Sequence, residues 1–307
     1  MNYQHTEDID TTREFSVRSL DSQMKNAINR TAKAIESLSI WNSTDRHILA
    51  DIFRGFLVAH KAIRLILSKK EEEPALSIEA MSISREQVES LFTVCLLLDD
   101  PNYWFSVYKK DNWKRKYWSY LLQKHECEKL PRFKKSLNEI EPMFDKLQKS
   151  YGISSDEKKA IEFKFCNPNK SLPSSLHFPT AGRAKDLIKN TSIKDCLERW
   201  YQEYQYLSGY SHGHMVKPLG LSILESRELN ISEEEKQKYY ENELEPSLTV
   251  SYVSSASVCA ESCPLLDYNI EVIEALTNLW NELTELSLLG KLFWNIRIRN
   301  LLGAIQT

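Results

Sequence analysis

Turn-forming residues are scarce in this chain, with 8 Gly and 10 Pro among 307 residues. Sheet-rich folds reverse direction often and place such residues at the reversals, so the scarcity argues against an all-β architecture and for long helices. Long apolar runs are missing too. The nearest approach, "LFTVCLLL" at 91–98, falls far short of the roughly 20 residues that a membrane-spanning helix needs. Neither sign of charge dominates: 40 Lys and Arg against 43 Asp and Glu leave a net charge of -3. No whole-chain field therefore draws the protein to nucleic acid or an anionic membrane. The six cysteines, Cys95, Cys127, Cys166, Cys196, Cys259 and Cys263, contain no Cys-x-x-Cys pair. They read as reduced thiols in a cytoplasmic protein, with no metal or cofactor site written around them. Phosphate-binding glycine loops and serine nucleophile elbows are absent.

What is present is an apolar pattern on the helical period. Hydrophobic residues make up 42% of the chain, enough for a core, and charged residues 27%. Over 43–68, Ile48, Leu49, Ile52, Phe53, Phe56, Leu57, Ile63, Ile66 and Leu67 recur at three- and four-residue spacing. "NSTD" offers N-caps before them. Weaker amphipathic helices are expected over 16–39 and 75–98, the latter ending at "LLDDP", where Asp100 can cap a helix that begins with Pro101. Helical patterns continue over 101–126 and 126–149, after which Ser154 and Glu157 form a capping box. "FCNPNKSLPSSLHFPTAG", within 165–182, carries three prolines and is the best loop in the chain. Helices are expected again over 183–190 and 194–211, near 233, and as one long tail helix over 267–303, broken near Gly290. Between them, Ser251, Ser255, Cys259 and Cys263 lie four apart, a stripe of small residues that lets helices approach closely. The expected fold is all-α: an irregular bundle of about nine or ten helices, forming one domain over 16–303 behind a loose tail at 1–15. The tail's acidic "MNYQHTEDIDTTRE" is unlike a secretory leader.

One polar constellation stands out. "YQYLSGYSHGHM", 204–215, puts Tyr204, Ser208 and His212 on one slowly drifting helical stripe where a core would prefer leucine. Gly213 is placed to end that helix, leaving His212 in its last turn, where the macrodipole favours a protonated imidazole. "SREQVES" puts Arg85 and Glu89 four apart on an otherwise apolar helix. A guanidinium and a carboxylate on a core face need partners, and each is the other's nearest. The tyrosine, serine and histidine of the second helix would complete such a centre.

These residues carry a resemblance. Arg-x-x-x-Glu ("REQVE", 85–89) followed by Tyr-x-x-Leu-Ser-x-x-x-His ("YQYLSGYSH", 204–212) resembles a prokaryotic all-helical family designated a domain of unknown function. "FPTAGRAKDLIKN" is similar to that family's run into the second motif, and the resemblance extends over roughly 40–290. It implies an all-helical fold in which these polar residues meet in a central cleft, and it implies no particular activity.

Two readings of the set stay open. In the first, the polar centre is structural, and the protein is an interaction or regulatory module with a protein partner or a second copy of itself. In the second it is hydrolytic and possibly cleaves RNA: His212 is general base or acid, Arg85 clamps an anion, Glu89 orients one of them, and Tyr204 and Ser208 hold substrate or water. Nucleic acid would then be held by the basic aromatic segment "YKKDNWKRKYW", through Lys109, Lys110, Trp113, Lys114, Arg115 and Lys116. The same segment also describes a helix whose basic stems cover aromatic rings. Other motifs are weaker. Arg54 and His60 fit the Arg-x(4–6)-His pattern of helical HEPN ribonucleases, but seven histidines and fourteen arginines supply such a match by chance. A solvated Arg54 and a packed His60 are expected. His212 and His214 point apart on a helix and lack a third metal ligand.

Overall fold

The computed structural model describes residues 3–73, 75–129, 134–211, 232, 234 and 245–303, with side chains described over 16–73, 75–127, 140–209, 232, 234 and 245–302. Among the described residues every regular element is helical and no strand occurs, as the turn-poor composition requires. In chain order the α-helices are α1 (Tyr3–Ser37), α2 (Ser43–Leu67), α3 (Leu76–Asp99), α4 (Pro101–Lys129), α5 (Lys134–Ser150) and α6 (Ser155–Cys166). They continue with α7 (Ala181–Leu187), α8 (Lys194–Ser211), α9 (Pro246–Ser262), α10 (Ile270–Leu286), α11 (Leu288–Phe293) and α12 (Arg299–Gly303). The backbone of α1 is helical through most of the segment expected to be a loose tail. None of the described helices is long and apolar enough to cross a membrane.

The segment expected to form one domain gathers its contacts in two compact units. Unit 1 comprises Met1–Asp99 and Ala181–Thr307, and unit 2 comprises Asp100–Thr180.

Unit 1 is organised around α9, which contacts α1, α2, α3, α10, α11 and α12. From Ser247 to Ala260 every residue of α9 is buried. A helix enclosed on all sides is normally apolar throughout, yet this one is rich in serine. Its many short side chains let neighbours approach closely, and some of the hydroxyls are satisfied locally, while those of Ser247, Ser255 and Ser257 have no hydrogen-bond partner among the described residues. Ser254 donates to the Ser251 carbonyl at 3.3 Å and Ser262 to the Cys259 carbonyl at 2.7 Å. From α3, Ser84 reaches the Ser247 carbonyl at 3.0 Å. Opposite lies α2, started by Asn42, whose side chain accepts from the Asp45 amide at 3.0 Å. It turns Leu49, Phe53, Phe56, His60 and Ile63 into the core. All six cysteines are free.

The tail breaks near Gly290, as expected, and the residue that makes the break is Ser287. Ser287 is extended (φ -147°, ψ 128°) and caps α11 by accepting from the Gly290 amide at 3.2 Å. Gly290 has another task. A Cβ there would lie 2.7 Å from the Leu283 carbonyl oxygen, so its missing side chain lets α11 fold back on α10.

Unit 2 has its own core, in which Trp113, Tyr117, Tyr120, Phe144, Ile153, Ile161 and Leu176 come together from α4, α5, α6 and a 3-10 turn at Ser174–Leu176. Its caps follow the sequence. Asp100 accepts from the Tyr103 amide at 3.4 Å, and Ser154 and Glu157 exchange both bonds of the capping box.

Two glycines in helices of unit 1 give opposite expectations. Gly290→Ala should lower unfolding stability by about 1–3 kcal/mol, because backbone must shift to admit the methyl group. Gly55→Ala, where nothing lies within 4 Å of the added Cβ, should raise it by about 0.5–1 kcal/mol. Denaturant titration of both variants checks the pair.

Candidate functional site

The expected polar centre forms where α3 packs along α8. Arg85 Nη2 donates to Glu89 Oε1 at 2.8 Å and to Tyr204 Oη at 3.2 Å. The guanidinium also lies 5.3 Å from the Tyr204 ring centroid. Tyr201 stacks on Tyr204 at 6.0 Å, and Lys185 from α7 stands 4.8 Å from the Tyr201 ring while pairing with Glu198 at 2.8 Å. The result is a row running carboxylate, guanidinium, phenol, phenol, ammonium, carboxylate. Gly182 leaves room for it, since a Cβ there would sit 3.0 Å from the Tyr201 hydroxyl. The hydrogen bond to Tyr204, with the Glu89 charge, outweighs burial and makes Arg85 hold its proton more tightly than usual. Side-chain exposures of 25% for Arg85 and 41% for Glu89 keep the ion pair's own contribution at no more than about 1 kcal/mol.

Ser208 occupies the same stripe but donates to the Tyr204 carbonyl of its own helix at 2.7 Å. It therefore shares a face with the centre without joining its hydrogen bonds. His212 and His214 lie outside the described residues, just beyond Ser211 at the end of α8. Three of the five expected residues thus converge, Arg85, Glu89 and Tyr204.

Arg54 faces outward, bonded to Glu36 at 2.7 Å and Asp51 at 3.1 Å. His60 is buried and anchors a second polar centre, which sequence reasoning missed. Its Nε2 lies 2.7 Å from Asp21 Oδ1 and its Nδ1 lies 2.9 Å from Ser251 Oγ. With a carboxylate at Nε2, the proton belongs there, and Nδ1 accepts from the serine. Tyr252 donates to the same Asp21 oxygen, and Arg64 stands 3.4 Å from the other. By connectivity this is a Ser–His–Asp line. Ser251 is fully buried in α9, so no acyl substrate reaches it, and the line ties α9 to α2 and α1. Burial alone would push the Asp21 carboxyl up, but hydrogen bonds from His60 and Tyr252 and the charge of Arg64 hold it below the usual value.

A third centre is an enclosed ion pair. Arg297 meets Glu261 through Nε and Nη2, both at 2.9 Å, and its Nη1 donates to the carbonyl and hydroxyl oxygens of Ser192 at 3.2 Å. Arg297 sits in a π-helical turn, Trp294–Ile298. Nothing in the tail's apolar pattern distinguishes this arginine from its solvated neighbours, so the pair was not legible in advance. Nearby, burial pushes the Cys95 and Cys196 thiols well above their usual range, which makes them poor nucleophiles. Cys259 is buried too, with the Cys263 sulfur 3.5 Å from its carbonyl, in agreement with a packing role. Among the described residues no group of three His, Cys, Asp or Glu is placed to hold a metal ion.

In unit 2 the basic aromatic segment is mostly committed to its own fold. Trp113 is fully buried and stacked 4.5 Å from Tyr117, so it has no free face for a nucleobase. Lys110 pairs with Glu157 at 2.8 Å. Lys114 bonds Asp111 at 2.5 Å and the Leu176 carbonyl at 2.6 Å, and Arg115 bonds Asp111 at 2.6 Å. Lys109 is half-buried and Lys116 exposed. The aromatic rings make a core that the basic stems surround, which corrects the expectation of a stacking platform at Trp113.

No family model, curated protein or solved structure matches the chain.

Tyr204→Phe removes the acceptor of Arg85 while keeping the ring, and should cost about 0.5–1.5 kcal/mol of stability by urea denaturation. Asp21 supplies a pH test. Its lowered folded-state pKa stabilises the fold above the ordinary carboxylate range, and this contribution is lost as pH falls through that range. Between about pH 6 and about pH 3, the wild type should lose more stability than Asp21→Asn. Equal losses contradict the assignment.

Proposed function

We propose that the protein is an interaction or regulatory module in which the Arg85–Glu89–Tyr204 centre holds α3 and α8 in register. One observation carries this reading: most of the hydrogen bonds found at the centre run between its own residues. Arg85 is bonded to Glu89 and Tyr204, and Ser208 to its own helix. A catalytic centre instead keeps a donor, an acceptor or a nucleophile open toward a substrate. Specific polar contacts between helices also serve what such a module needs, a single fixed surface to present. The partner is a protein, with a second copy of this chain as the simplest instance.

A second reading rests on Arg85 Nε, which is buried and has no hydrogen-bond partner among the described residues. That N–H, on a guanidinium bonded to Tyr204 of α8, favours an anion clamp in a hydrolytic centre built from Arg85, Glu89 and His212, with RNA as one substrate.

The two separate on paired variants. In the module reading, His212→Ala and Arg85→Met leave cleavage of RNA and of model phosphodiesters at background, as in the wild type. Arg85→Met then lowers the melting temperature by a few degrees, and sedimentation gives a species heavier than the 35.8 kDa monomer. A wild-type cleavage activity that both variants lose, with melting temperatures unchanged, overturns the module reading in favour of the hydrolytic one.

A further inference from the structure

A cavity of about 330 Å³ opens in unit 1 between the end of α3, the segment after α7, the end of α9 and the π-helical turn. That is within the range of small-molecule sites. Its lining includes Glu261 and Arg297, whose side chains are 7% and 10% exposed, and the more exposed Asp99 and Asn190. Leu98, Ile188, Ile193 and Leu265 supply the apolar part of the lining. We propose that this cavity binds a small apolar amine, with the ammonium received by Glu261 and Asp99 and the hydrocarbon body by those walls.

The hydrogen-bond inventory sets the sign of the guest. Arg297 makes four hydrogen bonds, two to Glu261 and two to Ser192, out of the five N–H groups a guanidinium has. It has little left for an anion. Acceptor capacity, by contrast, is in surplus. Each Glu261 oxygen takes one bond from Arg297 and has a second lone pair. Asp99 accepts from the Lys189 and Asn190 backbone amides at 2.9–3.1 Å and is likewise unsaturated. Two carboxylates against one guanidinium leave the lining with a formal charge of -1. A guest with N–H donors and positive charge completes such a site, and an anion is repelled from it.

The backbone supports a built site. Burying an ion pair costs more than packing apolar residues in the same volume, and the chain adopts a π-helical turn to aim Arg297 inward. Such turns recur at functional sites. A region shaped for packing alone would fill the cavity.

Calorimetric titration of the full chain with phenethylamine tests the proposal, with 2-phenylethanol and 3-phenylpropionate as neutral and anionic counterparts. The amine is expected to bind one to one, the alcohol at least about tenfold more weakly, and the carboxylate not at all. Asp99→Asn should weaken the amine about tenfold. Leu265→Trp, at a half-exposed wall position, should abolish binding with an unchanged melting temperature. Should that variant not fold, Asp99→Asn and the ligand series decide. The proposal is overturned if millimolar amine gives no binding, if the alcohol equals the amine, or if amine affinity is the same in wild type and both variants. Tyr204→Phe leaves this cavity untouched and should bind as wild type, so the outcome does not depend on the role assigned to α3 and α8.

Discussion

A helix enclosed on every side must be thin, and α9 satisfies that constraint with serine, alanine and cysteine in place of leucine. The choice has a consequence. Serine hydroxyls and close helix neighbours bring polar groups into the middle of unit 1, where leaving one unpaired costs about 1–3 kcal/mol; several are answered there, and the Ser247, Ser255 and Ser257 hydroxyls are not, among the described residues. The answers come from different helices. Ser84 of α3 bonds the Ser247 carbonyl, His60 of α2 bonds Ser251, Asp21 of α1 accepts from Tyr252, and Arg297 of the π-helical turn donates to Glu261. Each bond fixes one neighbour's height along α9, which apolar packing alone leaves free to slide.

The Arg85–Glu89–Tyr204 centre repeats the device further out, between α3 and α8, with the difference that it is half-exposed. A row of alternating cations and rings there tolerates water, whereas the His60 and Arg297 centres depend on being closed. This gradient separates what each centre can do. The two more buried centres fix geometry, with Glu261 and Arg297 also lining a cavity, and the outer row is half-exposed.

The all-helical architecture was legible because turn scarcity and 3.6-residue periodicity are local signals. So were the Asn42 and Ser154 caps, the Asp100–Pro101 helix start and the packed His60. The α3–α8 centre was legible for a related reason: Arg85 and Tyr204 are polar residues at positions whose period assigns them to a buried face. What escaped depends on long-range pairing. Asp21 and Ser251 each look ordinary on their own helices, and only the fold brings them to His60 across 39 and 191 residues of sequence. Arg297 hid in an amphipathic tail because a π-helical turn shifts the register on which periodicity is counted. Trp113 fits both readings of the basic aromatic segment, and only the fold shows its ring enclosed in the core of unit 2. The break near Gly290 was legible from the glycine, but its cause was not: Ser287 makes the turn, and Gly290 permits the close approach to Leu283.

The central claim, that α9 and its polar bonds are the constraint on which unit 1 is built, is tested most directly by native-state amide hydrogen exchange. The account predicts that the amides of 250–260 exchange only through global unfolding, with the same free energy and denaturant dependence as unfolding itself. Exchange of those amides through local opening, while α2 or α10 remains protected, would contradict it.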